Sequence, residues 1–119
     1  MTKTHKTLKG LFSLDHSIKL YIPSTIETNK SADNRAQVDE TLILFSQLFG
    51  GATSYDAVGA WESAKAGLVK EKVKIVQSYA TGEQVEESID LVIRHAEQIK
   101  IEMSQEAISL EYDNKLYFI

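Results

Sequence analysis

With 119 residues, the chain is long enough for one domain that buries its own hydrophobic core. It contains no cysteine, which excludes a disulfide framework, a thiolate metal site and a cysteine nucleophile, and is typical of a cytoplasmic protein. The formal net charge of −4 argues against a surface that neutralises phosphates over a large area, so nucleic acid is an unfavoured partner.

Residues 1–16 are predicted to form an arm, and residues 17–119 a single domain. Gly10 interrupts the apolar residues of the arm, which are Leu8, Leu11, Phe12 and Leu14. This stretch is too short and too broken for a signal-peptide core or a membrane span. We therefore expect no membrane partner.

The first strand and the first helix are predicted from periodicity. Ile18, Leu20 and Ile22 alternate with polar or amphipathic residues, as in a half-buried strand that Pro23 ends. The polar residues 24–34 are predicted to be a loop. Asp33 or Asn34 is predicted to cap the first helix, whose apolar stripe consists of Val38, Leu42, Phe45 and Phe49.

Turn and cap residues divide the rest of the chain. Gly50-Gly51 is predicted to end the first helix, and residues 52–62 and 68–80 to form a β-hairpin. Thr81 and Gln84 form the pattern of a capping box at the start of a second helix that runs to about residue 103. The alternating C-terminal segment predicts a second hairpin, with its turn at Asp113-Asn114.

The predicted order of elements is therefore β-α-β-β-α-β-β. Its first six elements are those of the ferredoxin-like fold, in which two helices cover one face of an antiparallel sheet. We predict an α+β fold of this kind with an extra C-terminal strand.

Glu71 is the main candidate for a functional residue. Strict alternation along the third strand places it on the face of Val69, Val73 and Ile75. A carboxylate that is buried without a partner is costly, so we expect Glu71 to bind a proton or a partner and to be the catalytic residue if the protein is an enzyme. The alternative is a β-bulge or strand end that turns Glu71 to water.

The opposite face of the third strand is basic. It carries Lys70, Lys72 and Lys74, and we expect Lys19 and Tyr21 of the first strand to lie beside them on an open sheet face. Such a face resembles a platform for an anion or for single-stranded nucleic acid. However, the aromatic signature of RNA-recognition sheets is absent, and exposed lysines also protect strands from edge pairing.

The segment LFGGATSYDAVGAW supplies the other candidate residues. Amides near paired glycines can form an anion-binding nest, with Thr53 and Ser54 as further donors, although a simple helix end is the more common role of such glycines. Trp61 and Tyr55 alternate with small residues that leave room for a flat ligand. The predicted ligand-binding residues are Glu71, Trp61, Tyr55, Thr53, Ser54 and Tyr21. The three histidines lack metal-ligand spacing, so we predict no metal site and no cofactor.

Four stretches resemble a small family of uncharacterised bacterial proteins of plasmids, phages and other mobile elements. They are LYIPST, LFGGATS, the pattern G-x-W-x5-G-x3-E-x-V that includes Trp61 and Glu71, and EMSQEAISLEYDNKLYFI. The resemblance covers about residues 17–119. It implies a fold and a role for Trp61 and Glu71, but no substrate.

These observations lead to two functional predictions. The first is a non-catalytic binding or inhibitor protein, an accessory factor of a phage or plasmid that sequesters a small anionic ligand or masks a host protein. The alternative is a small enzyme in which Glu71 is the general acid or base, with Asp56, Tyr55 or Tyr79 nearby. In either case we expect a homo-oligomer that associates through the open sheet face or the terminal hairpin.

Overall fold

The computed structural model describes residues 5–26 and 30–119, so the first four residues of the predicted arm and the middle of the predicted loop lie outside the described residues. The strands are β1 His16–Pro23, β2 Thr25–Ile26, β3 Lys30–Ser31, β4 Thr53–Ser63, β5 Gly67–Ala80, β6 Ser109–Tyr112 and β7 Lys115–Phe118. The helices are α1 Arg35–Phe49 and α2 Gly82–Glu102.

The main sheet is antiparallel and has the strand order β4-β5-β1-β6-β7. The two central strands of a ferredoxin-like sheet are here β1 and β5, and β7 is the additional strand at one edge. The prediction of an α+β, ferredoxin-like fold with an extra C-terminal strand is confirmed.

Both helices pack on one face of this sheet. Helix α1 packs against α2 and β5, and α2 also packs against β1. The buried set includes Ile18, Leu20, Ile22, Phe45, Val76, Val92 and Ile99. Neither helix is long and apolar enough to cross a membrane. The opposite face of the sheet has no helix over it within the described residues, and we call it the open face.

Local signals set the ends of the helices. Gly50 follows α1 with φ of 89° and donates its N–H to Ser46 O, which confirms the predicted helix stop. The capping box of α2 is present in both directions between Thr81 and Gln84. Of the two residues predicted to cap α1, Asn34 does not do so, because its amide donates to Pro23 O at 2.9 Å. Asp33 Oδ1 accepts a hydrogen bond at 3.0 Å from the N–H of Arg35, the first residue of α1.

The C-terminal hairpin turns at Asp113 and Asn114, which both have positive φ, as predicted. A side-chain contact joins this turn to the start of β1, where His16 Nδ1 and Asp113 Oδ2 are 2.6 Å apart. The His16 ring also stacks on Tyr112, with the ring centroids 5.9 Å apart. The hairpin is therefore tied to the sheet at both its turn and its strands.

Two predictions about the sheet are wrong. Lys19 and Tyr21 lie directly opposite Gln77 and Ile75, so they share the face of Glu71 and not that of the three lysines. The helices cover the even-numbered face of β5 only near its C-terminal end. Lys70, Lys72 and Lys74 lie on the same face, nearer the start of the strand. In addition, the predicted loop contains the short hairpin of β2 and β3, which pairs Thr25 with Ser31.

Candidate functional site

Glu71 lies on the open face and is half-buried, so the expectation that it faces the hydrophobic core is wrong. Its carboxylate has a partner, because Thr25 Oγ1 donates a hydrogen bond to Glu71 Oε1 at 3.0 Å. The two residues line a shallow cavity of about 390 Å³, together with Ser24, Ser31, Trp61, Val69, Lys70 and Lys72. We call this cavity the Glu71 pocket.

The β4–β5 hairpin places Trp61 in the same pocket. Trp61 pairs with Val69 across the hairpin and Gly59 pairs with Glu71, so the indole lies one pleat from the carboxylate on the open face. Trp61 is 49% exposed, which leaves much of the ring available to a ligand. No residue from Val58 to Lys72 is fully buried, so this part of the hairpin extends beyond the helices.

The pocket can favour a positively charged group. The Glu71 carboxylate supplies negative charge, and the face of an indole attracts cations through its quadrupole. Alternation directs the side chains of Lys70 and Lys72 to the opposite face of β5. The combination of one carboxylate, one indole and the apolar Val69 can therefore hold a cation that has an apolar body.

Tyr21 and Tyr55 belong to a separate polar row on the open face. Both pair with Ile75, which is four residues from Glu71 on the same strand and hence about 13 Å away. Tyr21 donates to Glu111 Oε1 at 3.2 Å, and Tyr55 donates to Gln77 Oε1 at 3.2 Å. Partial burial, with the adjacent Glu111, raises the pKa of Tyr21.

Thr53 and Ser54 lie elsewhere again. Thr53 lines a cavity of about 610 Å³ beside Gly50 and Gly51, whereas the half-buried Ser54 alternates to the helix-covered face. The carbonyl of Gly51 accepts a hydrogen bond from Ser78 Oγ at 2.6 Å. The six predicted ligand-binding residues are thus distributed over four places, and only Glu71 and Trp61 share a pocket.

The supporting residues named for an enzyme are also distant from Glu71. Asp56 forms an ion pair with Lys74, with Oδ1 and Nζ 2.8 Å apart, on the opposite face of the hairpin. Tyr79 is near the other end of β5. The expectation that Asp56, Tyr55 or Tyr79 assists Glu71 is therefore wrong for this conformation.

Thr25 is the residue of the pocket that sequence reasoning missed. It lies 46 positions from Glu71, and no periodic pattern marks so short a strand as β2. The sequence offered one indication of this contact, which is that Ser and Thr follow Pro23 directly at the end of a central strand. Their hydroxyl groups are possible hydrogen-bond donors, but the sequence does not show which strand carries the acceptor.

Comparison with solved structures gives two matches, both to a phage SAM lyase. The complex with S-methyl-5'-thioadenosine has a TM-score of 0.63 at 13% sequence identity, and the alignment covers 92% of each chain. The apo form has a TM-score of 0.61 at 13% identity over 87% of each chain. No family model and no curated protein matches the sequence. At this identity the similarity establishes the fold.

The comparison contradicts the first functional prediction. The matching structures are those of an enzyme, and they overturn the prediction of a non-catalytic binding or inhibitor protein that sequesters an anion or masks a host protein.

Proposed function

We propose that this protein is a small lyase that cleaves a sulfonium substrate of the S-adenosylmethionine type and releases 5'-methylthioadenosine. The observation that carries the proposal is the Glu71 pocket, in which a half-buried carboxylate lies beside an exposed indole. The fold shared with a phage SAM lyase supports the choice of substrate class.

The pocket suits both charges of such a substrate. S-adenosylmethionine carries a positive sulfonium and a positive α-ammonium group, and either can approach a carboxylate or an aromatic face. Trp61 and Val69 supply the apolar part of the pocket lining, which also favours the reaction itself. The sulfonium loses its charge as its bond to carbon breaks, so an environment poor in water destabilises the charged reactant more than the transition state.

Release of 5'-methylthioadenosine breaks the bond between sulfur and Cγ of the methionine part, and the electron pair of that bond stays on sulfur. In one route Glu71 removes a proton from Cβ, the C–H electrons form a Cβ–Cγ double bond, and the second product is 2-aminobut-3-enoate. In the other route the substrate's own carboxylate displaces sulfur at Cγ and forms a lactone, while Glu71 orients the α-ammonium group. The second product therefore assigns the role of Glu71.

The test is incubation of the purified protein with S-adenosylmethionine and detection of both products by mass spectrometry. We expect 5'-methylthioadenosine to form faster than in buffer, and Glu71→Gln to lower kcat about 100-fold. Glu62→Gln is the matched control, because Glu62 is on the same hairpin and alternates to the opposite face. Release no faster than in buffer, or equal rates for wild type and Glu71→Gln, would refute the proposal.

Trp61 provides a second test at the level of binding. Trp61→Ala should raise KM because the cation loses its aromatic contact, whereas Trp61→Phe should retain part of it. Addition of 5'-methylthioadenosine should raise the Tm of the wild type, since a ligand that binds only the folded state stabilises it.

A homo-oligomer remains part of the proposal. The open face exposes Tyr55, Trp61, Tyr79, Leu116 and Phe118. The β4–β5 hairpin also exposes Val58 and Leu68 on the opposite face. A second copy that covers these residues would bury apolar surface and shield the shallow Glu71 pocket from water. Native mass spectrometry at micromolar concentration tests this, and a monomer at every concentration would contradict it.

The cytoplasmic location and the origin in a mobile element also remain proposals. The first is supported by the lack of cysteine and the second by the motifs that include Trp61 and Glu71. Sequencing of the genes next to that of this protein tests the second, and fractionation of the producing cells tests the first.

A further inference from the structure

We propose that Thr25 is a positioning residue for Glu71, fixed from behind by Gln105, so that the active carboxylate has one orientation before substrate binds. This inference rests on the proposed function. It goes beyond it because it assigns roles to Thr25 and Gln105, which lie outside the β4–β5 hairpin and are not among the predicted ligand-binding residues.

The contact between Thr25 and Glu71 is directional. A threonine hydroxyl has one proton to donate, and here it points to Glu71 Oε1 across 3.0 Å. A hydrogen bond to an ionised carboxylate is stronger than one between neutral groups. The contact therefore fixes the rotation of the carboxyl group, and we assign Oε2 to the substrate.

Thr25 is itself held on two sides. Gln105 follows the C-terminal end of α2, and its Nε2 donates to Thr25 O at 2.8 Å and to Met103 O at 3.1 Å. On the other side, Ser24 Oγ donates to Lys72 O at 2.6 Å, which ties the start of β2 to the strand that carries Glu71. All three bonds are made within the chain, so the fold itself sets the position of Thr25 relative to β5.

The hydrogen bond from Thr25 should affect the rate of cleavage, and not only the stability of the fold. Without the donor, the carboxylate can rotate, and its charged form loses a stabilising contact. Both routes of cleavage need the charged form in one orientation. The loss should therefore reduce kcat more than it changes KM.

The central experiment compares Thr25→Val, which removes the donor and keeps the shape, with Thr25→Ser, which keeps the donor. For Thr25→Val we expect a fall in kcat of about tenfold and a change in KM below about threefold. Thr25→Ser should retain both kcat and KM within about threefold of the wild type. Equal impairment of both variants, or a Thr25→Val enzyme with the wild-type kcat, would overturn the inference.

Gln105 gives an independent arm of the test. Gln105→Met should lower kcat and change KM by less than about threefold, as Thr25→Val does. Gln98→Met is its matched control, because the exposed Gln98 on α2 bonds only to Glu102 among the described residues. A Gln105→Met enzyme that matches Gln98→Met in both measurements would contradict the role of Gln105.

A measurement that does not depend on activity separates failure of this inference from failure of the proposed function. If Thr25 holds Glu71, Thr25→Val should lower Tm in the wild-type background and leave it unchanged within about 1 °C in a Glu71→Leu background. Equal changes in the two backgrounds would refute the contact, whatever the substrate. A lower Tm for Thr25→Val in the wild-type background only, with no cleavage of S-adenosylmethionine by the wild type, would refute the proposed function. The same result would support the contact between Thr25 and Glu71.

Discussion

A buried hydrogen bond between the two helices offers the sharpest test of how the structure is stabilised. Thr41 is fully buried on α1, and its Oγ1 lies 2.6 Å from Gln37 O and 2.7 Å from His95 Nε2 on α2. The hydroxyl has one proton, which it gives to the Gln37 carbonyl, so His95 Nε2 carries the proton of the second bond. Thr41→Val replaces the hydroxyl by a methyl group of similar size and leaves the imidazole N–H without its acceptor.

The cost of this change follows from the burial of the two partners. A buried donor that loses its acceptor costs about 1–3 kcal/mol. Because His95 is only half-buried, water can reach part of the ring, and we expect a value near the lower end, about 1 kcal/mol. For a domain of this size that corresponds to a fall in Tm of about 3–5 °C. The double variant Thr41→Val/His95→Leu should recover most of the loss, since both polar groups are then replaced.

The same histidine makes stability depend on pH. Burial lowers the pKa of His95 below 6.5, although Glu40 and Glu102 oppose the shift. As pH falls below 6.5, the unfolded chain therefore binds a proton on this ring before the folded chain does, and the free energy of unfolding decreases. Denaturant unfolding of wild type and His95→Leu between pH 8 and 5 measures this. A Thr41→Val variant as stable as the wild type, or an unchanged slope in His95→Leu, would refute the reasoning.

Three further predictions concern local features. Thr81→Ala should cost about 1 kcal/mol in thermal unfolding because it removes the capping box, and an undiminished Tm would contradict this. Gly50→Ala should cost about 1 kcal/mol because φ is 89°, whereas Gly51→Ala is its control with open space around the new methyl group; equal Tm values would contradict the strain. The hydrogen bond from His16 lowers the pKa of Asp113 below 3.8, so its contribution is complete above pH 3.8 and is lost as pH falls further. Asp113→Asn should therefore lower Tm at pH 7 and change it less at pH 2, and parallel Tm curves would exclude this contribution.

Local chemistry explains why most elements were predictable. The Thr81 and Gln84 pair, the glycine after α1 and the Asp113-Asn114 turn each act within a few residues, so the chain itself contains the information. The β4–β5 hairpin is equally local, and its alternation placed Trp61 and Glu71 on one face correctly. These residues met in one pocket because a hairpin has a single register once its turn is known.

The side of the sheet that the helices cover was not predictable in the same way. Along β5 the odd-numbered residues are the more apolar, with Val69, Val73 and Ile75, which suggested that they face the core. The helices cover only the last part of β5, where Val76 and Ala80 are the buried residues. The part of β5 that extends beyond the helices therefore adds apolar residues to the alternating pattern that the helices do not cover. For this reason alternation alone does not show which face of the sheet the helices cover.

Thr25 illustrates a further limit of sequence reasoning. The two residues of β2 are too few for a periodic pattern, and the hydrogen bond to Glu71 joins positions 46 apart. The position of Thr25 depends in turn on Gln105, which lies 80 positions after Thr25 in the chain. Contacts of this kind arise from the assembled fold, so the shared face of Glu71 and Trp61 could be predicted from the sequence and the hydrogen-bond partner of Glu71 could not.

The functional prediction failed for a chemical reason. The case for a binding protein was the lack of an activated nucleophile, and that lack is decisive only for reactions in which the leaving group is poor. A sulfonium has a neutral thioether as its leaving group, so its cleavage needs orientation, removal of water and at most one base. One carboxylate held by Thr25, one indole and a hairpin face that a second copy can cover would meet those needs. For a substrate that is already activated, the chemistry therefore requires no activated nucleophile from the protein.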